Sequence, residues 1–64
     1  MMQPGAAIKQ DAEFEYVLRL NREVEVVLDG EIEYRGALLS FSRDMFQVPG
    51  GDHYLRRMVE VKTV

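Results

Sequence analysis

Cysteine and tryptophan are absent from this 64-residue chain, and proline occurs only twice. The lack of cysteine excludes a disulfide framework and a thiolate metal site, the two usual supports of very small domains. A chain of this size buries only about 60% of the surface its unfolded form exposes. Marginal stability is therefore expected, and oligomerisation is the support left over. Long apolar runs are also missing. Charged residues make up 30% of the sequence and interrupt every hydrophobic stretch well short of the ~20 residues a membrane span requires. The opening Met1-Met2-Gln3-Pro4-Gly5-Ala6-Ala7-Ile8 has neither the basic segment nor the apolar run of a secretory signal, so the expected compartment is the cytoplasm, with no membrane partner. Excess positive charge is lacking as well: the net charge is -3, which argues against broad attraction to nucleic acid or anionic lipid. Any RNA contact has to be local. What is present, 47% hydrophobic residues, is too apolar for a disordered chain.

Residues 1–10 contain Pro4 and Gly5 and no apolar period, and read as a flexible arm ahead of a single domain over 11–64. Over residues 11–20, Phe14, Val17, Leu18 and Asn21 share one helical face, Asp11 can cap the first turn, and Glu15 stands one turn before Arg19. A helix is the first expectation there. A strand is the alternative, because Phe14, Tyr16, Leu18 and Leu20 also alternate at period two.

From Glu23 onward the pattern is β. Val24, Val26 and Leu28 alternate with polar positions, Asp29-Gly30 signals a turn, and Ile32 and Tyr34 alternate with Glu31, Glu33 and Arg35. A two-residue loop would set Leu28 opposite Glu31 and Val26 opposite Glu33, apolar against charged. The expected register instead has a three-residue loop, Leu28-Asp29-Gly30, with Gly30 left-handed in a bulge, Val26 opposite Ile32 and Val24 opposite Tyr34. Gly36 interrupts the second strand and reads as a bend or a close approach of another backbone. Ala37–Phe41 and the segment around Met45–Val48 give further strand material, Pro49-Gly50-Gly51-Asp52 a stop, and His53–Val64 one bent strand or two short ones. No internal repeat or low-complexity tract occurs.

The run Val24-Glu25-Val26-Val27-Leu28-Asp29-Gly30, followed by Tyr34-Arg35-Gly36-Ala37-Leu38-Leu39-Ser40-Phe41, resembles the first motif of the Sm, LSm and Hfq family. Gly36 and Phe41 keep that motif's separation, and Met45 falls where members often carry methionine. Tyr54-Leu55-Arg56-Arg57 and Val59-Glu60-Val61 resemble the second motif. The likeness covers residues 11–64 and implies a mainly β fold, a five-stranded, strongly bent antiparallel barrel of the SH3-like, Sm-like kind with a short N-terminal helix. It further implies a homo-oligomeric ring, in which the fourth and fifth strands pair between subunits and single-stranded RNA is held near the pore or on one face. Ser42 stands where the motif has aspartate, Asp44 and Phe46 near its base-binding positions, and Arg57 in place of a glycine, so the usual uridine pocket is not present.

For RNA the candidate residues are Arg43, Phe46, His53, Tyr54, Arg56 and Arg57. Guanidinium groups suit phosphate and base contacts, a histidine beside arginines can bond or stack a base, and aromatics supply stacking surfaces. Core packing is the competing role for Phe41 and Met45. Glu13, Glu15, Glu23, Glu25, Glu31 and Glu33 read as a solvated acidic face. Ser40 and Ser42 have no histidine and acid in a recognisable order, Gly50-Gly51 is followed by no lysine and no helix, and the lone histidine offers no ligand spacing. Neither an enzyme nor a cofactor or metal is expected. Two functions follow: a ring that binds single-stranded RNA without chemistry, or an oligomeric module that binds another protein and no RNA.

Overall fold

The computed structural model describes residues 3–64. Residues Asp11–Arg19 form a helix, α1. Its amphipathic spacing puts Phe14 and Val17 into the core and leaves Glu15 and Arg19 outside as an exposed pair at 2.9 Å. The helix begins one residue earlier than the sequence indicates. Gln10 is the N-cap, and the Glu13 carboxylate reaches back to accept from the N–H groups of Lys9 and Gln10 at 2.7 and 2.8 Å, the return half of a capping box. Asp11, expected as the cap, lies inside the first turn, and its carboxylate is engaged elsewhere. Asn21 is not on the helix face but just past its end, at φ 54°. There the N–H groups of Asn21 and Arg22 donate to the carbonyls of Leu18 and Val17, which closes the helix in a Schellman arrangement.

Six short strands follow: β1 (Val24–Leu28), β2 (Glu31–Gly36), β3 (Ser40–Phe41), β4 (Met45–Gln47), β5 (His53–Leu55) and β6 (Glu60–Thr63). They form two three-stranded antiparallel sheets, ordered β2-β1-β6 and β3-β4-β5. The chain is mainly β, with one short helix and no closed barrel.

The β1–β2 register differs from the expected one. Leu28 pairs with Glu31, so the loop is the two-residue Asp29-Gly30, with both residues at positive φ, 51° and 81°. That is a type I′ turn, whose twist matches the strands it joins. The mismatch that argued against it is repaired further on: Val27 pairs with Ile32 but Val26 with Tyr34, so Glu33 is the extra residue of a bulge. Val26 then reaches the core opposite Tyr34, while Ile32 turns to solvent at 58% exposure.

Gly36 accommodates a side chain, not another backbone. At φ 156° it lies beneath the Tyr34 ring, and a Cβ there would stand 2.5 Å from the Tyr34 hydroxyl oxygen. That hydroxyl donates to the Ala37 carbonyl at 2.7 Å, pinning the point where the chain leaves the first sheet for the second.

The two sheets and α1 enclose Phe14, Val17, Val24, Val26, Leu38, Phe46, Val48 and Val61. At its centre an aromatic row runs from Phe41 through Phe14 and Phe46 to Tyr54, with ring centroids 5.7, 5.6 and 5.4 Å apart, inside the range in which aromatic pairs attract beyond their burial.

Residues 5–8, read from the sequence as part of a flexible arm, lie hydrogen-bonded along the outer edge of β6. Gly5 N–H donates to the Thr63 carbonyl, Thr63 N–H to the Ala6 carbonyl and Ile8 N–H to the Val61 carbonyl, at 2.8 to 2.9 Å. Ile8 is a core residue, 3% exposed.

Candidate functional site

Arg56 opens the turn between β5 and β6. Its N–H donates to the Asp44 carbonyl at 2.9 Å, which draws the β3–β4 turn beside it. The side chain folds inward and is only 12% exposed. One terminal nitrogen donates to the Asp11 carboxylate at 2.6 Å and to the Ser42 carbonyl at 2.8 Å, the other to the Lys9 carbonyl at 2.8 Å. The guanidinium carbon lies 4.2 Å from the centre of the Phe14 ring. A planar five-donor fork suits such a node. Arg56 therefore clasps the start of α1, the β3–β4 turn and the β5–β6 turn, and its donors are largely consumed within the fold.

Around this clasp lies an open cleft of about 570 Å³. Lys9, Arg43, Arg56, Arg57 and Lys62 line it, five of the chain's eight basic residues, against only Asp44 and Glu60 of its eleven acidic ones. Ile8, Phe14, Val59 and Val61 supply apolar lining. Arg43 and Arg57 are exposed, and among the described residues neither has an ion-pair partner within bonding distance. Lys62 stands 3.9 Å from Glu60, both side chains being substantially exposed, a pairing of little energetic weight. An acidic chain thus concentrates free positive charge at one concave place.

The structure divides the residues expected at an RNA site. Arg43, Arg56 and Arg57 come together at the cleft. Phe46 does not: it is 1% exposed and packed between Phe14 and Tyr54, because its position on β4 faces the interior. Tyr54 is half-buried against it, and burial, reinforced by the nearby Asp52 and Glu33 carboxylates, raises the phenol's pKa above its ordinary value, so it remains neutral near pH 7. His53 is exposed on β5 opposite Gln47, outside the cleft lining. Of the glutamates expected on a solvated face, Glu15, Glu23, Glu31 and Glu33 are exposed, whereas Glu13 is taken up by the helix start and Glu25 is partly covered.

Two of the basic cleft residues escaped the sequence reading. Lys62 alternates with the buried Val61 and Thr63, a period-two signal that places it outward. Lys9 carries no comparable signal and is placed by backbone bonds to Glu13 and Arg56 together with the anchoring of Ile8. Among the described residues no cluster of histidine, cysteine and carboxylates could hold a metal, and no helix is long and apolar enough to cross a membrane. Comparison of the chain with protein-family models, with curated proteins and with solved structures returns no match.

Proposed function

We propose that this chain is a divergent Sm-like protein that binds single-stranded RNA, without chemistry, in a homo-oligomeric ring, the cleft around Arg43 and Arg57 providing the phosphate contacts. The observation that carries this reading is the segregation of charge: five of eight cations line one cleft on a chain of net charge -3. Selective recruitment of a polyanion by a local basic patch follows from that distribution, and general stickiness does not. The apolar lining is largely buried, Ile8, Phe14 and Val61 being core residues, so the reading rests on phosphate contacts and not on a stacking platform.

The Sm-like reading draws support from strand order. If β2 and β3 are the two halves of one strand broken after Gly36, the strands run β6-β1-β2/β3-β4-β5, a five-strand meander whose last member returns beside the first. This is the order of a small SH3-like barrel, with the break at the glycine where the sequence motif has its bend. A protein-binding module without RNA affinity is the second reading, favoured by the bare edge of β5.

Fluorescence anisotropy with labelled oligouridine and oligoadenine, paired with solution mass by light scattering, tests the proposal. The expected result is a mass several times the 7.4 kDa monomer and an affinity that falls on raising salt and on replacing Arg43 and Arg57 by alanine. A monomer that ignores both oligonucleotides would overturn it.

A further inference from the structure

The two sheets end in unlike edges. On β5, the backbone bonds from Arg56 to Asp44 and from Val48 to Asp52 fix the alternation of the β4–β5 ladder, so Tyr54 faces β4 while His53 and Leu55 face away. The Leu55 carbonyl is taken by Met58 N–H. The His53 N–H and carbonyl and the Leu55 N–H have no partner among the described residues. Nothing blunts this edge: His53, Tyr54 and Leu55 include no proline, lysine or bulge, the devices by which exposed edges are usually protected. The flank of β2, by contrast, carries exposed Glu31, Glu33 and Arg35.

The edge of β6 is closed, and by the chain's own N-terminal segment. Residues 5–8 take up the Thr63 N–H, the Thr63 carbonyl and the Val61 carbonyl, while the Thr63 hydroxyl accepts from Ala6 N–H at 2.9 Å and donates to the Gln3 carbonyl. The strip is short. It makes a single antiparallel bridge, Ala7 to Lys62, and buries one large side chain, Ile8. A strand of modest hold lies where any other strand added to β6 would have to lie.

We propose that residues 3–8 are a displaceable plug on the β6 edge, and that the strand they exclude is the bare β5 of a second copy of this chain. Pairing of β5 with β6 joins two different surfaces, so it is head-to-tail and gives a closed ring when the rotation between neighbours closes, an open fibre when it does not. This inference rests on the assembly half of the proposed function and adds its control: the closed chain is monomeric, the chain with a released plug assembles. Because Ala7 and Ile8 also line the basic cleft, release exchanges that part of its wall for the neighbour's strand, while Lys9, outside the plug, stays tied to Arg56.

The absence of native cysteine permits a clean lock. Ala7 and Lys62 oppose each other between two hydrogen-bonded pairs, the geometry in which Cα atoms approach to about 4.5 Å and a disulfide spans about 4.4–6.8 Å. The double variant Ala7→Cys, Lys62→Cys is measured oxidised and reduced by light scattering across protein concentration. The oxidised form is expected to stay at 7.4 kDa and the reduced form to rise several-fold. Thr63→Val, which keeps the side-chain shape but deletes the hydroxyl bonds to the plug, is expected to assemble at roughly tenfold lower concentration than the native chain, as loss of ~1.4 kcal/mol of plug contacts dictates. Equal assembly of the oxidised and reduced forms overturns the plug and leaves the ring standing. A monomer in every form, Thr63→Val included, overturns plug and ring together, while anisotropy reports separately on RNA.

Discussion

Replacing Arg56 by methionine keeps the aliphatic stem over Phe14 and removes the fork of donors. Hydrogen bonds from a charged group contribute about 1.5–3 kcal/mol each when desolvated, and Arg56 supplies two to carbonyls, at Ser42 and Lys9. Both acceptors lie near enough to the surface for water to replace part of the loss, so the low end applies. The arrangement over Phe14 adds about 1 kcal/mol. The Asp11 pair adds less, because the Asp11 side chain is 69% exposed. These effects share one side chain and do not sum, which puts the net loss near 3 kcal/mol. For a chain of this length the whole folding free energy is of the order of 3–10 kcal/mol, so Arg56→Met is expected to lower Tm by about 12–24 °C, read by circular dichroism alongside a urea titration. Asp11→Asn is expected to cost under about 1 kcal/mol, which separates the carbonyl contacts from the ion pair. Should Arg56→Met lose less than about 1 kcal/mol while weakening RNA binding as much as Arg57→Ala does, Arg56 would be a ligand contact and the clasp would be refuted.

Other substitutions probe the remaining structural joints. Gly36→Ala drives a Cβ against the Tyr34 ring and is expected to cost about 1–3 kcal/mol; adding Tyr34→Phe should recover part of it, and strict additivity in chemical denaturation would show that the two positions do not meet. Gly30→Ala meets nothing within 4 Å and is expected to cost only the backbone strain of positive φ, about 1 kcal/mol; a loss above 3 kcal/mol would contradict the type I′ turn. The Lys9 and Gln10 N–H groups hold the Glu13 carboxyl below its ordinary value. A depressed folded value means that the stabilisation is complete above the unfolded carboxyl pKa, about 4.3, and is lost as pH falls through the folded one. The stability gap between native chain and Glu13→Gln should accordingly narrow on acidification in urea melts, and a gap that widens would reverse the assignment.

Local signals carried much of this architecture. The spacing of Phe14 and Val17 with the Glu15–Arg19 pair specifies α1, and alternation from Val24 to Arg35 specifies the first hairpin. The stop at Pro49–Asp52 separates β4 from β5. Register was another matter. Opposing Val26 to an apolar residue suggested a three-residue loop, but the twist preference of Asp29-Gly30 set a two-residue turn, and the fold absorbed the mismatch one step later as a bulge at Glu33. The site was legible only as a composition of arginines. Nothing local distinguishes Arg56 from Arg57, since the inward role of Arg56 depends on carbonyls at Lys9 and Ser42, 47 and 14 residues away. The anchoring of residues 5–8 was equally hidden, because one isoleucine in a polar, glycine-containing segment has no period to reveal it.

Salt dependence of RNA binding tests the central claim most directly. Anisotropy of a labelled oligouridine, titrated from low to physiological salt, should give a log–log slope of about -2 to -3 per site if Lys9, Arg43, Arg57 and Lys62 meet phosphates, near 0.7 per neutralised phosphate on a single strand. Arg43→Ala with Arg57→Ala should reduce that slope by about 1.4 while leaving Tm unchanged. A slope near zero, or one that the double substitution does not alter, would contradict the cleft as the place where RNA is held.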